Sequence, residues 1–250
     1  MTAPWIAVTV LGRFEVSVNG RAVASRQWAR RHGAALVKLL AISPSRSLHR
    51  DRVIDALWPD VDYDVAVPRL HKAAHYARRA LGHQDAVVLR ADAVRLCPDF
   101  AVYVDAVRFR QLADYALRDG GIAEAKEALA LYGGDLLPED IYETWADPHR
   151  QELRRLYLEM LHQAEDWHQA VTADPADERA HLALARRYAE LGNRVAALRQ
   201  LDQLDHVMRE ELGLGGSLLG LDLRRHLIQA SLRAIRPPAA GAQQVYESTM

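Results

Sequence analysis

The sequence predicts a mainly α-helical protein with small β elements, divided into two halves of different construction. Three observations carry this prediction. Runs rich in β-branched and aromatic residues are short and confined to the start of the chain and to the region around residue 90. Turn and helix-stop residues before residue 98 impose the order strands, three helices, hairpin. Beyond Pro98 a helical pattern repeats itself 72 positions later.

Each element has a local reason. Residues 5–11 and 14–19 read as strands, turned at Gly12-Arg13, and Asn19-Gly20 is a hairpin signal before a third short strand at 21–24. From residue 30 to 42 the period becomes helical, with Ala35, Leu39 and Ile42 on one stripe and Pro44 beyond its end. A second helix covers 50–58, with Val53, Ile54 and Leu57 apolar and Pro59 stopping it. The third is expected over 68–81, with Pro68 at its first position and Gly82 as its C′ residue. Residues 87–90 and 94–96 read as strands about a tight Ala91-Asp92 turn. This order is that of a winged helix-turn-helix, assigned to residues 1–98.

After Pro98 the chain is expected to be helical almost throughout. Leu112, Ala113, Gly120, Ala125 and Leu129 recur as Leu184, Ala185, Gly192, Ala197 and Leu201, and Ala116 pairs with Tyr188. Small residues inside a first helix, Gly at the turn, then Ala and Leu in a second helix form the tetratricopeptide pattern, whose unit is about 34 residues. Trp167, Ala170 and Pro175 mark a weaker middle copy. Residues 99–236 are therefore expected to be a tetratricopeptide-like helical-repeat domain, followed by a disordered tail over 237–250 rich in Pro, Ala, Gly and Gln.

Composition narrows the function. The 250 residues hold 32 Lys+Arg against 33 Asp+Glu, and half are hydrophobic. That near-neutral balance hides an asymmetry: residues 1–98 carry 15 basic and 8 acidic side chains, and the remainder 17 and 25. A basic half joined to an acidic half points to a polyanionic partner at one end. The single cysteine, Cys97, excludes a disulfide framework and reads as a core or linker thiol in a reduced, cytoplasmic compartment. No apolar run reaches the ~18 residues of a membrane helix. None of the three lysines stands in a phosphate-binding loop, no nucleophile elbow is present, and no enzyme signature or cofactor site is expected.

The third helix carries the chemistry. At ~100° per residue, Leu70, Ala74, Ala77 and Leu81 form the buried stripe, and Arg69, His71, Lys72, His75, Tyr76, Arg78 and Arg79 cover the opposite half. No acidic residue occurs over 65–84. Exposed helices ordinarily mix charge signs to gain i,i+4 pairs, whereas a basic, aromatic, acid-free face suits the major groove of double-stranded DNA. Arg69, Lys72 and Tyr76, nearest the helix start, are candidates for base edges, and His75, Arg78 and Arg79 for phosphates. The hairpin offers Arg90 and Arg95 to the neighbouring groove, and Arg50 and Arg52 begin the second helix, where free N–H groups also favour phosphate. His71 and His75 have helical ligand spacing but no third ligand, so no metal site is expected. Asp60, Asp62 and Asp64 form either a helix-start charge complement, for which Asp64 is suited, or a protein-contact loop held off DNA. The same residues admit a second reading, a helical-repeat adaptor whose winged domain binds protein. Only the DNA reading requires affinity to fall steeply with salt.

Several motifs in order resemble the antibiotic-regulatory-protein (SARP) activators. Leu11-Gly12-Arg13-Phe14-Glu15-Val16, Leu48-His49-Arg50-Asp51-Arg52 with Ala56-Leu57-Trp58-Pro59, and the stretch from Leu70 through Gly82 are similar to that family's OmpR-type winged helix. Tyr132-Gly133-Gly134-Asp135-Leu136-Leu137-Pro138, Trp145-Ala146 and Ala173-Asp174-Pro175 resemble the bacterial transcriptional activator domain that follows it. The resemblance spans residues 5–235. It implies an activator of secondary-metabolite or other pathway genes, with protomers side by side on direct repeats and RNA polymerase recruited through its sigma subunit. Asp60, Asp62 and Asp64 would then be a polymerase-contact loop. Two positions depart from the pattern: Pro68 replaces a polar residue, and the wing has Ala93-Val94 where Gly-Tyr is common. Without a receiver or nucleotide-binding domain, control by phosphorylation or ATP through an attached module is not expected.

Overall fold

The computed structural model describes residues 4–28, 31–210, 213 and 215–235; the tail expected over 237–250 lies outside them. The chain forms two compact units, Met1–Glu165 and Asp166–Met250.

The first unit opens with β1 (Trp5–Thr9), β2 (Glu15–Val18) and β3 (Arg21–Ala22), a meander whose Asn19-Gly20 turn has both φ angles positive, 49° and 78°. Then come α1 (Arg31–Ile42), β4 (Ser47–His49), α2 (Arg50–Leu57), α3 (Tyr63–Leu81), and the hairpin β5 (Val87–Arg90) with β6 (Ala93–Leu96). The strands, three helices and wing stand in the expected order. Two strands were not foreseen. β4 is three residues long and pairs with β6, making a three-stranded sheet in the order β4-β6-β5. β7 (Ala101–Val104) interrupts the helical stretch expected after Pro98 and lies parallel to β1, giving the order β3-β2-β1-β7. So short a strand has too few residues to show a period, and a parallel neighbour almost a hundred residues away leaves no local turn signal.

β7 leads into α4 (Asp105–Asp119), α5 (Ile122–Leu129) and α6 (Asp147–Gln163). A continuous core joins these helices to the winged part, running from Ile6, Val8 and Val16 through Leu36, Leu40 and Leu70 to Phe109, Leu136 and Met160. Asp105, only 7% exposed, accepts the N–H groups of Val10 at 2.9 Å, Leu11 at 3.0 Å and its neighbour Ala106 at 2.8 Å. The chain then bridges onward, Gly12 N–H to the Asp135 carbonyl and Leu137 N–H to the Val10 carbonyl, both at 2.9 Å. A Cβ on Gly12 (φ 78°) would lie 2.4 Å from the Gly133 carbonyl oxygen, so the position admits glycine alone. The Leu-Gly-Arg and Tyr-Gly-Gly-Asp-Leu-Leu motifs, more than a hundred residues apart, are thus two sides of one joint. Lys38 of α1 completes it. Its buried ammonium lies 2.5 Å from Asp140 and 4.6 Å above the Phe14 ring.

The second unit holds α7 (Trp167–Ala173), α8 (Glu178–Glu190), α9 (Arg194–Glu210) and α10 (Leu218–Ile235). The repeat is real at the level of elements: α4–α5 and α8–α9 are both helical hairpins, and α9 starts 72 positions after α5. Ala113, Ala116 and Ala125 are buried in the first hairpin as Ala185, Ala197 and Leu201 are in the second. Small residues let the paired helices approach closely. Ala170 of the weaker copy is buried in α7. His181, fully buried, faces the Pro175 carbonyl at 3.0 Å through Nε2 and Gln200 at 2.7 Å through Nδ1. This anchors the Ala-Asp-Pro motif to α8.

Candidate nucleic-acid interface

α3 is longer than its sequence pattern predicts. It begins at Tyr63 with Asp62 at the N-cap and Asp64 in the first turn, and Pro68 lies inside it. Proline normally opens a helix, since it lacks the N–H that the first turn leaves unpaired. Here an upstream turn forms because Ala66 is fully buried and Val65 and Ala66 both donate to the Asp62 carbonyl. Two expectations change. Arg69 and Lys72 stand in the middle of the helix and not in its first turns, and Asp64 belongs to the helix and not to a loop ahead of it. Asp60, Asp62 and Asp64 are all exposed, with Tyr63 and Val65 exposed among them.

The buried stripe is as expected: Leu70, Ala74, Ala77 and Leu81 are within 3% of complete burial, joined by Ala66, Ala73 and Ala80. Alanines on this face let α3 lie close against α1, where a Cβ on Gly33 would come 3.1 Å from that of Tyr76. Tyr76 is consequently half-buried, its ring edge-on to His75 at 5.6 Å. Arg69, His71, Lys72, His75 and Arg79 are exposed. The helix ends in left-handed Gly82 (φ 70°).

Arg78 does something else. Its Nε–H donates to the Val87 carbonyl at the base of β5, at 2.7 Å, tying α3 to the wing. Arg50 behaves similarly: its backbone N–H donates to the Asp92 carbonyl at 2.6 Å, its guanidinium to the Ala91 carbonyl, and the Asp92 carboxylate lies 3.8 Å away. Both arginines are partly buried. Arg52, two residues further along α2, is exposed.

Register sets the face of the wing. Arg95 pairs with Ser47 and Val88, and Ala93 pairs with His49 and Arg90. With alternate residues sharing a face, Arg90, Arg95 and His49 lie together outward, while Val94 and Leu96 are buried. His49 was absent from the sequence candidates, because only β4 brings it beside the wing. Its Nδ1 also accepts the Asp51 N–H at 3.3 Å, capping α2. Cys97, next to the wing, is fully buried, and burial pushes its thiol up to about 12, against a smaller opposing pull from Arg46. That makes it a core residue. Among the described residues no group of three or more His, Cys, Asp or Glu side chains could hold a metal ion, and no helix is long and apolar enough to cross a membrane.

A winged domain with one cationic, acid-free helix face, sharing its core with the first hairpin of a helical-repeat region, is the class of protein that fold and surface define. More particularly, residues 104–225 match the family described as bacterial transcriptional activator domain. The solved structure of Mycobacterium tuberculosis EmbR in complex with a low affinity phosphopeptide is similar over 90% of this chain, with a TM-score of 0.66 and 16% identity. The chain spans 65% of the length of that protein. At that identity the likeness is one of fold. No curated protein matches the chain in sequence.

Proposed function

We propose that this protein is a sequence-specific, double-stranded-DNA-binding transcriptional activator that acts in the cytoplasm. In this reading it binds direct repeats near promoters as a homodimer or as side-by-side protomers, and recruits RNA polymerase through its sigma subunit. The observation that carries the reading is the exposed face of α3, where Arg69, His71, Lys72, His75 and Arg79 stand without an acidic neighbour over residues 65–84. Such a face gains nothing from i,i+4 pairing and is matched by a phosphate-lined groove. Arg69 and Lys72 reach base edges beside Tyr76. His75 and Arg79 meet phosphates, as do Arg52, Arg90 and Arg95 at the flanks. Asp60, Asp62 and Asp64, with Tyr63 and Val65, offer polymerase an acidic and apolar surface that phosphate repels. The match of residues 104–225 to an activator family supports activation over repression.

The test is selection of genomic fragments on the purified protein, followed by titration of the enriched duplex across salt. A repeated motif bound with a steep log–log salt slope is expected. Absence of enrichment over random fragments favours the adaptor reading.

A further inference from the structure

Two arginines that the sequence offers to phosphate are turned inward, and both end on the wing. Arg50 reaches the wing tip through three groups: its backbone N–H meets the Asp92 carbonyl, its guanidinium meets the Ala91 carbonyl, and the same guanidinium faces the Asp92 carboxylate. Ala91 is left-handed, with φ 50°, a conformation a non-glycine residue adopts only when its surroundings hold it. Arg78 reaches the other end of the hairpin, where β5 begins. The tip also bears an acid, Asp92, two residues after Arg90 and three before Arg95, and the Arg50 guanidinium faces it. The wing belongs to a sheet of only three short strands, β4-β6-β5, and the two arginines add fastenings at its turn and at the start of β5.

We propose that Arg50 and Arg78 are positioning residues: they hold the wing against the N-terminus of α2 and the C-terminal half of α3, so that Arg90 and Arg95 face the same ligand as the α3 surface. Arg50 does this while neutralising Asp92, and neither arginine spends its charge on phosphate. The consequence for affinity rests on the DNA-binding reading; the ordering of the wing does not.

Arg50→Ala in the full chain separates the possibilities, with Arg50→Lys as the conservative comparison. In the free protein, hydrogen exchange at the β5–β6 amides is expected to speed up about tenfold, with α1 and the second unit unchanged. Lysine, which keeps the charge without the fork, restores only part of this. On the duplex that the wild-type protein enriches, Arg50→Ala is expected to weaken binding about tenfold. In an Arg90→Ala, Arg95→Ala background it should cost under about twofold, since it acts through those residues. Unchanged exchange in Arg50→Ala overturns the proposal. Equal losses in both backgrounds overturn it in favour of direct phosphate contact. If the wild-type protein enriches no duplex, the DNA reading falls, and the exchange result alone decides whether Arg50 holds the wing.

Discussion

Arg69, Lys72 and Arg79 carry one charge on one helix, yet they stand at different depths along it and should fail differently. Arg69→Ala and Lys72→Ala are expected to weaken specific binding by about 1–3 kcal/mol while leaving non-specific binding nearly intact, whereas Arg79→Ala weakens both. Footprints and competition titrations of the three variants on one operator check this, and an equal loss everywhere removes the base-reading assignment. Asp105 is a structural counterpart in the same unit. Burial pushes its carboxyl above the ordinary 3.8, outweighing the N–H groups of Leu11, Val10 and Ala106 that favour the charged form. A carboxyl whose folded pKa is raised adds stability as pH falls through the window above 3.8. Asp105→Asn loses that gain and turns an amide N–H₂ toward backbone donors. It is expected to cost about 1–3 kcal/mol at neutral pH and more in mild acid, read by urea unfolding at both pH values. The buried thiol of Cys97, held near 12, should resist alkylation in the native protein and react once it is unfolded.

At the scale of elements, helices were legible where an apolar stripe and a stop residue coincided. α1, α2 and the C-terminal end of α3 lie where Pro44, Pro59 and Gly82 put them. The start of α3 was not, because Pro68 carries a strong start signal and the burial of Ala66 that extends the helix is a tertiary fact. β4 and β7 were invisible for a related reason: strands of three and four residues have no measurable period and exist through partners distant in sequence. The joint between residues 10–12 and 133–137 makes a sharp prediction. Gly12→Ala must displace the Gly133 carbonyl, and it is expected to destabilise the first unit by about 1–3 kcal/mol or more, measured by denaturant midpoint, without altering the second unit. Leu70→Ala, beneath the basic face, should cost about 2–5 kcal/mol.

At the scale of the whole molecule, the sequence marked a charge boundary after Pro98, and packing falls elsewhere. Residues 99–165 complete the sheet and core of the winged part, so the first compact unit ends at Glu165. A fragment of residues 1–98 lacks β7 and Asp105, leaving the β1 edge and the N–H groups of Val10 and Leu11 unpaired. It is expected to aggregate or unfold, whereas residues 1–165 should give a cooperative transition, as calorimetry of the two fragments would show. By itself the sequence determined what is local: helix stripes, hairpin turns, the acid-free face of α3 and the repeated helical hairpins, since each is encoded in the spacing of neighbouring residues. Only the tertiary structure decided which arginines face outward and which hold the wing, that β7 runs beside β1, and that two glycine motifs meet in one joint. Those outcomes depend on partners tens of residues away, and what selects them is burial and hydrogen-bond satisfaction across the whole unit.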